Sequence, residues 1–347
     1  MITELGSTAA FFQARRRRHW VSLGFVLLVV VLGCAALASG SSGWLLLDAW
    51  NGDANARFVI TEMRLPRAMA AALAGLLLGA AGAAMQSALR NPLASPSTIG
   101  VSQGAAFGAA VSIMFLQGGS DQAVPAIVAR LDGSSLTVLL AFAGALASVL
   151  SIMLLATVRH LSPLAVILAG VALSAFFSAA TMLLQYMADD TQVAASVFWT
   201  FGDVGRAGWA EVRIIAFVGI PSLAVILGLG RLLNALQWGD HTAQGLGINA
   251  RAVRLLVMVA GAIASAAPTA FIGIIAFVGL MAPHIARIFV GDDQNHGLFL
   301  SALIGAAILL LADIIARMVL APVVLPVGII TAFAGVPVLL YLLVRRT

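Results

Sequence analysis

Arg64-Leu-Pro-Arg67, then 22 residues without a charge, then Arg90-Asn-Pro-Leu-Ala-Ser-Pro-Ser-Thr-Ile-Gly-Val-Ser-Gln-Gly104 reads as one membrane crossing with both boundaries marked. The uncharged length matches the roughly 20 residues needed to span about 30 Å of hydrocarbon. A lipid-facing helix favours bulky side chains, whereas Gly75, Gly79 and Gly82, set among alanines, let other backbones approach closely. This helix is therefore predicted to lie inside a bundle.

The rest of the chain extends that reading. Of 347 residues, 61% are hydrophobic and 10% charged, and the mean hydropathy is +1.05. These values exclude a soluble protein and leave one transmembrane domain over 1–347. Apolar segments run roughly over 20–38, 68–89, 99–117, 136–158, 163–188, 211–230, 252–271, 272–290, 298–320 and 327–344. They lack the period-2 alternation of barrel strands, so the expected fold is all-α with about ten transmembrane helices. The pI near 10.9 does not point to nucleic acid, because the basic residues are scattered and Arg15-Arg16-Arg17-Arg18 is the one cluster. Residues 15–38 resemble a signal peptide with Ala36-Leu-Ala38 as the cleavage point, but the following segments need a first span, so it is read as retained. Cys34 stands alone in the sequence, which rules out an intrachain disulfide.

Ten crossings put both termini on one side. With that side cytoplasmic, twelve arginines fall inside (15–18, 90, 159, 231, 251, 254, 287, 345, 346) and seven outside or at the outer boundary (57, 64, 67, 130, 206, 213, 317). Acidic residues run the other way, with Asp48, Asp53, Glu62, Asp121, Asp132, Asp189, Asp190, Asp203 and Glu211 outside. Residues 1–19 then form a cytoplasmic segment and 231–254 a cytoplasmic loop. The run 255–283 holds 29 uncharged residues, about 44 Å as a helix, too long for one span and too short for two. Pro268 and Gly273 are expected to mark the turn between a full helix and a short one.

All 19 basic side chains are arginine. A P-loop needs a lysine to reach nucleotide phosphates, so this chain carries no Walker A site and any ATP is bound by another subunit. His19, His160, His241, His284 and His296 are too far apart to form a metal pattern. The expectation is a transport subunit without enzymatic, cofactor or metal residues, with ATP and Mg on a partner ATPase.

The opening stretch, together with Gly239-Asp-His-Thr-Ala-Gln-Gly-Leu-Gly247, Phe277-Val-Gly-Leu-Met-Ala-Pro-His-Ile-Ala-Arg287, Leu311-Ala-Asp-Ile-Ile-Ala-Arg317 and Leu325-Pro-Val-Gly-Ile-Ile-Thr331, resembles the type II ABC importer permeases for iron chelates, haem and vitamin B12. The resemblance implies that architecture, with short or broken helices, in the bacterial inner membrane. It implies a homodimer, two ATP-binding cassette subunits and a periplasmic substrate-binding protein. Haem is the first choice of cargo, a ferric siderophore the second and vitamin B12 the alternative. An ion-coupled secondary transporter is the competing class, for which Asp313 is the lone intramembrane carboxylate.

Gly239, Asp240, Ala243, Leu246 and Gly247 are expected to form a short helix, with the Asp240 carboxylate at its N-terminus and Ala243 and Leu246 on one face. By resemblance it is the coupling helix that seats in the ATPase; a plain capped loop is the alternative. Arg64 and Arg67 put cations at a helix N-terminus, against the macrodipole and the positive-inside trend. By resemblance they and Arg317 dock acidic residues of the binding protein. Headgroup anchoring is the other reading for the pair, and an ion pair with Asp313 four residues earlier is the other reading for Arg317. Val324 stands where the family commonly has a glutamate. Asn91, Leu93, Ser162 and Leu164 are by resemblance a cytoplasmic gate, while an Asn-Pro turn and a proline-started helix explain the same residues structurally.

Overall fold

A computed structural model describes residues 2–40, 51–116, 133–159 and 162–344. Asp48, Asp121, Arg130, Asp132, His160, Arg345 and Arg346, used in the sequence reading, lie outside the described residues. The described helices are α1 (Ile2–Ala38), α2 (Ala54–Ala88), α3 (Val101–Val111), α4 (Gly133–Arg159), α5 (Pro163–Met187), α6 (Asp190–Thr200) and α7 (Trp209–Gly228). They continue as α8 (Gly230–Gln237), α9 (Asp240–Gly245), α10 (Ala250–Ile272), α11 (Val278–Val290), α12 (Gln294–Met318) and α13 (Val327–Val344). Seven are long and apolar enough to cross a membrane, and three shorter apolar helices, Val101–Phe115, Val278–Val290 and Val327–Val338, bring the number to ten among the described residues.

The central helix is α2. Its α-helical part, Leu65–Ala88, has Pro66 in the first turn, where a missing N–H costs nothing. Upstream it is lengthened by a π-helical turn, Val59–Arg64, and by Ala54–Phe58, which Asp53 caps by accepting from the Asn55 and Ala56 N–H groups at 2.8 and 3.3 Å. Gly75, Gly79 and Gly82 recur at helical spacing and place one flank of α2 directly on backbone. A Cβ at Gly75 would lie 2.3 Å from the Gly305 carbonyl oxygen, at Gly79 2.2 Å from that of Ser301, and at Gly82 1.9 Å from that of Gly279. Another flank is closed by Met85 against Gly261 of α10 and by Leu77 against Gly219 of α7. The expectation of a buried α2 is met: α7, α10, α11 and α12 surround it. The α3–α4 pair repeats the device, with Gly104 and Gly144 in mutual backbone contact.

Besides the start of α2 at Ala54, two boundaries differ from the sequence expectation. Helix α1 begins at Ile2, well before the apolar run at residue 20. Pro268 lies inside α10, and the break comes at Gly273, where φ is +82°. Residues 273–277 are non-helical, so the short helix α11 starts at 278 and not at 272. Broken backbone at membrane depth must be satisfied by protein. Protein groups do this at the break: Asp203 N–H donates to the Ile272 carbonyl at 2.7 Å, and Val278 N–H donates to that of Ala276 at 2.9 Å. Helices α6 and α8 had no counterpart in the sequence reading.

Contacts between helix ends define the two ends of the bundle. A basic end gathers Arg18, Arg90, Arg251 and Arg254, and the opposite end gathers Ser39, Arg64, Asp203 and Arg317.

The packing generates a test. Gly82→Ala should force α2 from α11 and cost about 1–3 kcal/mol, whereas Gly228→Ala, with nothing within 4 Å of its added Cβ, should leave the thermal midpoint in detergent unchanged or raised. Equal midpoints for the two variants would refute the backbone contact.

Candidate functional site

At the basic end the chain leaves α8 at Gly239 (φ +103°), makes the six-residue α9 and leaves again at Gly247 (φ +78°). Both turns use the left-handed region that glycine enters without strain. Asp240 opens α9 as expected, with its carboxylate turned to Arg254 and not to the N–H groups of α9. Arg254 grips it as a fork, with Nη1 donating to Oδ2 at 2.8 Å and Nη2 donating to Oδ1. Such bidentate charge-assisted pairs are among the strong hydrogen bonds. Arg90 Nη2 approaches the same Oδ1 at 3.3 Å, and Arg254 Nε donates to the Ala88 carbonyl at 2.9 Å. The α9 segment, α10 and the last turn of α2 are thereby fastened together. The Arg254 hydrogen bonds, together with the charges of Arg254, Arg90 and His241, outweigh partial burial and hold the Asp240 carboxyl below its ordinary value.

Ala243 and Leu246 do not share a face. Ala243 is fully buried and packs inside the chain, while Leu246 is 66% exposed and Trp238 79% exposed. Asp240 points inward to Arg254, and residues three apart on a helix lie on one face, so Ala243 follows it inward. Leu246 lies beyond the end of α9 at Gly245 and escapes that periodicity. The exposed surface of the segment is therefore Trp238, His241, Thr242, Gln244 and Leu246.

Around this clamp, Arg251 donates to the Thr157 carbonyl of α4 at 2.6 Å. Asp293 receives Arg18 at 2.6 Å, His296 at 2.8 Å and Asn234 at 3.1 Å, joining α1, α8 and α12.

Asn91 and Leu93 follow directly from the clamp. The Asn91 Oδ1 accepts the Leu93 N–H at 2.8 Å, and Leu93 is exposed. Ser162 Oγ accepts the Ala165 N–H at 3.3 Å and caps α5, with Leu164 exposed beside it. Both hydroxyl and amide thus serve their own turns. Arg90 bridges the Asn91 turn to Asp240, a link that local spacing does not announce.

The opposite end centres on Asp313, which has no solvent exposure. Arg317 Nη2 lies 2.9 Å from its Oδ2 and Arg67 Nε 2.7 Å from its Oδ1, while Arg67 Nη2 lies 3.6 Å from Asp203. Arg317 Nη1 also donates to the Ala36 and Ser39 carbonyls at 3.0 and 2.8 Å, and Arg64 Nη1 to those of Leu37 and Ala38 at 2.9 and 3.1 Å. Of the two readings open for Arg317, the ion pair with Asp313 is present; Arg64 and Arg67 also have internal partners, and Arg64 and Arg317 are only 6% exposed. The apparent conflict with the α2 dipole resolves physically. Arg64 and Arg67 lie well inside α2, which begins at Ala54, and the guanidiniums of Arg64 and Arg317 meet the end of α1, whose last carbonyls lack intrahelical donors and favour positive charge. Val324 is exposed in the turn after α12.

The FecCD transport family matches residues 26–345. The chain belongs to that family. Its relatives include "Putative ABC transporter permease protein MJ0087" of Methanocaldococcus jannaschii, 48% identical over 85% of this chain and 84% of that protein. They also include the hemin transport system permease protein HmuU of Yersinia pestis, 35% identical over 93% and 95% of the two chains, and the vitamin B12 import system permease protein BtuC of Vibrio parahaemolyticus, 33% identical over 83% of each. A solved structure described as "an inward-facing conformation of a putative metal-chelate type ABC transporter" superposes with a TM-score of 0.82 at 29% identity, covering 94% of this chain and 99% of the other. This FecCD protein is a multi-pass ABC importer permease, a non-catalytic subunit, and its family implies ATPase and binding-protein partners.

Two outcomes test the site. Asp313→Asn leaves Arg67 and Arg317 without their shared counter-charge, which should cost about 3–5 kcal/mol and show as a lowered thermal midpoint. Asp240→Asn should loosen the clamp at neutral pH. Because the folded carboxyl sits below its unfolded value, the wild-type advantage should hold above about pH 5 and vanish as pH falls through the folded value. A wild-type advantage unchanged at acid pH would exclude the ion pair as its source.

Proposed function

We propose that this permease takes an iron chelate, haem first and a ferric siderophore second, from a binding protein and passes it inward as a homodimer driven by two ATPase subunits. Vitamin B12 is the alternative cargo. The observation that carries the reading is the exposed Trp238–Leu246 knob fastened through Asp240 to Arg254, Arg90 and the Ala88 carbonyl. A push on the knob reaches the inner end of α2 and the adjoining Asn91–Leu93 turn through charge-assisted bonds and no flexible linker. The positive-inside rule makes the basic end cytoplasmic, with both termini there and the coupling residues Gly239, Asp240, Ala243, Leu246 and Gly247 facing the ATPase side. In that role Ala243 fixes the segment from within and Leu246 makes the contact.

On the same reading, Asn91, Leu93, Ser162 and Leu164 form the cytoplasmic gate, with the second copy supplying its other half. Helix α5 carries exposed Leu164, Leu168, Val171, Phe176 and Met182 and no charge, a face suited to a second copy. The binding protein docks on the opposite end. Arg64, Arg67 and Arg317 serve that docking as its frame, by holding the ends of α1, α2 and α12 together. The 35% identity with the hemin permease supports haem, and ferric-citrate permeases 32–34% identical over as much of the chain support a siderophore.

Vesicles holding the permease, its ATPase and its binding protein should import haem with ATP and no ion gradient, and the lone chain should hydrolyse no ATP. Leu246→Asp should abolish import while leaving membrane insertion and haem capture by the binding protein intact. Import by the lone chain that an uncoupler stops would overturn ATP coupling.

A further inference from the structure

A cavity of about 920 Å³ lies between α4, α6, α7 and α10, apart from both clusters described above. Its polar groups lie toward one level: Ser134, Ser135 and Thr137 in the first two turns of α4, Glu211 in the first turn of α7, and Arg206 just before it. Deeper along the same helices the walls are Val138, Phe142, Ile214 and Val218. Eight residues separate Ser134 from Phe142 and seven separate Glu211 from Val218, about 10–12 Å at the helical rise. The cavity is thus polar at the boundary of the membrane and apolar within it, along the bilayer normal.

Its mouth faces lipid. Leu139 of α4 and Ile214 of α7 line it and are 54% and 48% exposed, and Phe217 is exposed beside them, so the groove opens on the hydrocarbon flank of two membrane-crossing helices. Phe198 and Trp199 of α6 close the polar end as an interfacial aromatic pair. Arg206 is held there by donating from Nη1 to the Trp199 carbonyl at 3.2 Å and from Nη2 to the Phe198 carbonyl at 2.5 Å, and the fork has further N–H donors. Glu211 Oε2 accepts the Gly208 N–H at 2.8 Å, which fixes its carboxylate at the rim. One cation and one carboxylate at the same level complement a headgroup that carries both a phosphate and an ammonium. A purely anionic headgroup would satisfy Arg206 and be opposed by Glu211.

We propose that this groove holds one zwitterionic phospholipid, its phosphate toward Arg206, its ammonium toward Glu211 and an acyl chain along Val138, Phe142 and Val218. The assignment rests on the membrane embedding of α4 and α7 and not on the cargo or the direction of transport.

Trp199 reports the occupant, because a brominated acyl chain in the groove quenches its fluorescence. The probe is the full permease with its ATPase in vesicles, and the Trp199→Phe protein gives the signal to subtract. Two titrations are compared: brominated phosphatidylethanolamine in a phosphatidylglycerol host, and brominated phosphatidylglycerol in a phosphatidylethanolamine host. Half-quenching should come at about five-fold lower mole fraction in the first, the selectivity worth one charge at headgroup level. Glu211→Gln, which keeps the acceptor for Gly208, should bring the two curves together, because only the ammonium distinguishes the two headgroups. Arg206→Ala should move both curves to higher mole fraction, because both headgroups carry the phosphate. Coincident curves in the wild type would mean unselective boundary lipid and overturn the proposal. Loss of quenching on adding haem would hand the groove to the cargo and overturn it equally.

Discussion

In a membrane there is no water to receive the carbonyls at a helix end or the N–H groups of a guanidinium, so each must find the other. The cluster of Arg64, Arg67, Arg317 and Asp313 is the fullest instance. The end of α1 offers carbonyls from Ala36 to Ser39, and two arginines from two other helices fill them. Asp313 supplies the counter-charge that makes burial of the neighbouring cations tolerable. Removing one partner from such a set leaves the others charged and dry, which is why the ends of α1, α2 and α12 behave as one body.

The same helix carries that constraint to the other end. From Arg67 to Ala88, α2 touches its neighbours through glycine-to-backbone contacts, which leave little room for sliding, since protein interiors do not deform continuously. Its last carbonyl at Ala88 is taken by Arg254, which also grips Asp240. One rigid rod therefore connects a buried ionic knot at one end with a partly exposed ionic clamp at the other. The knot is shut away from solvent, whereas the clamp lies at a surface where water competes.

The lateral groove adds a third kind of contact. Where α4 and α7 diverge, side chains do not fill the gap, and its polarity follows that of the bilayer beside it. A lipid there would complete the packing between α4, α6 and α7 without a change in the helices themselves.

The sequence alone determined that the chain is a ten-helix membrane protein, because apolar length and the lack of strand alternation leave no other solution. It also determined that α2 is buried, because Gly75, Gly79 and Gly82 have no use against lipid. The short helix α9 was legible from Gly239 and Gly247, which bracket it at left-handed turns. What the tertiary structure decided is where the charges go. Nothing in local spacing joins Asp240 to Arg254 or Arg67 to Asp313, which lie 14 and 246 residues apart. Nor did spacing show that Ala243 turns in while Leu246 turns out, since that depends on α9 ending at Gly245. The dipole argument at Arg64 does not apply, because α2 runs on upstream to Ala54, and the carbonyls that satisfy its guanidinium belong to α1, brought alongside only by folding.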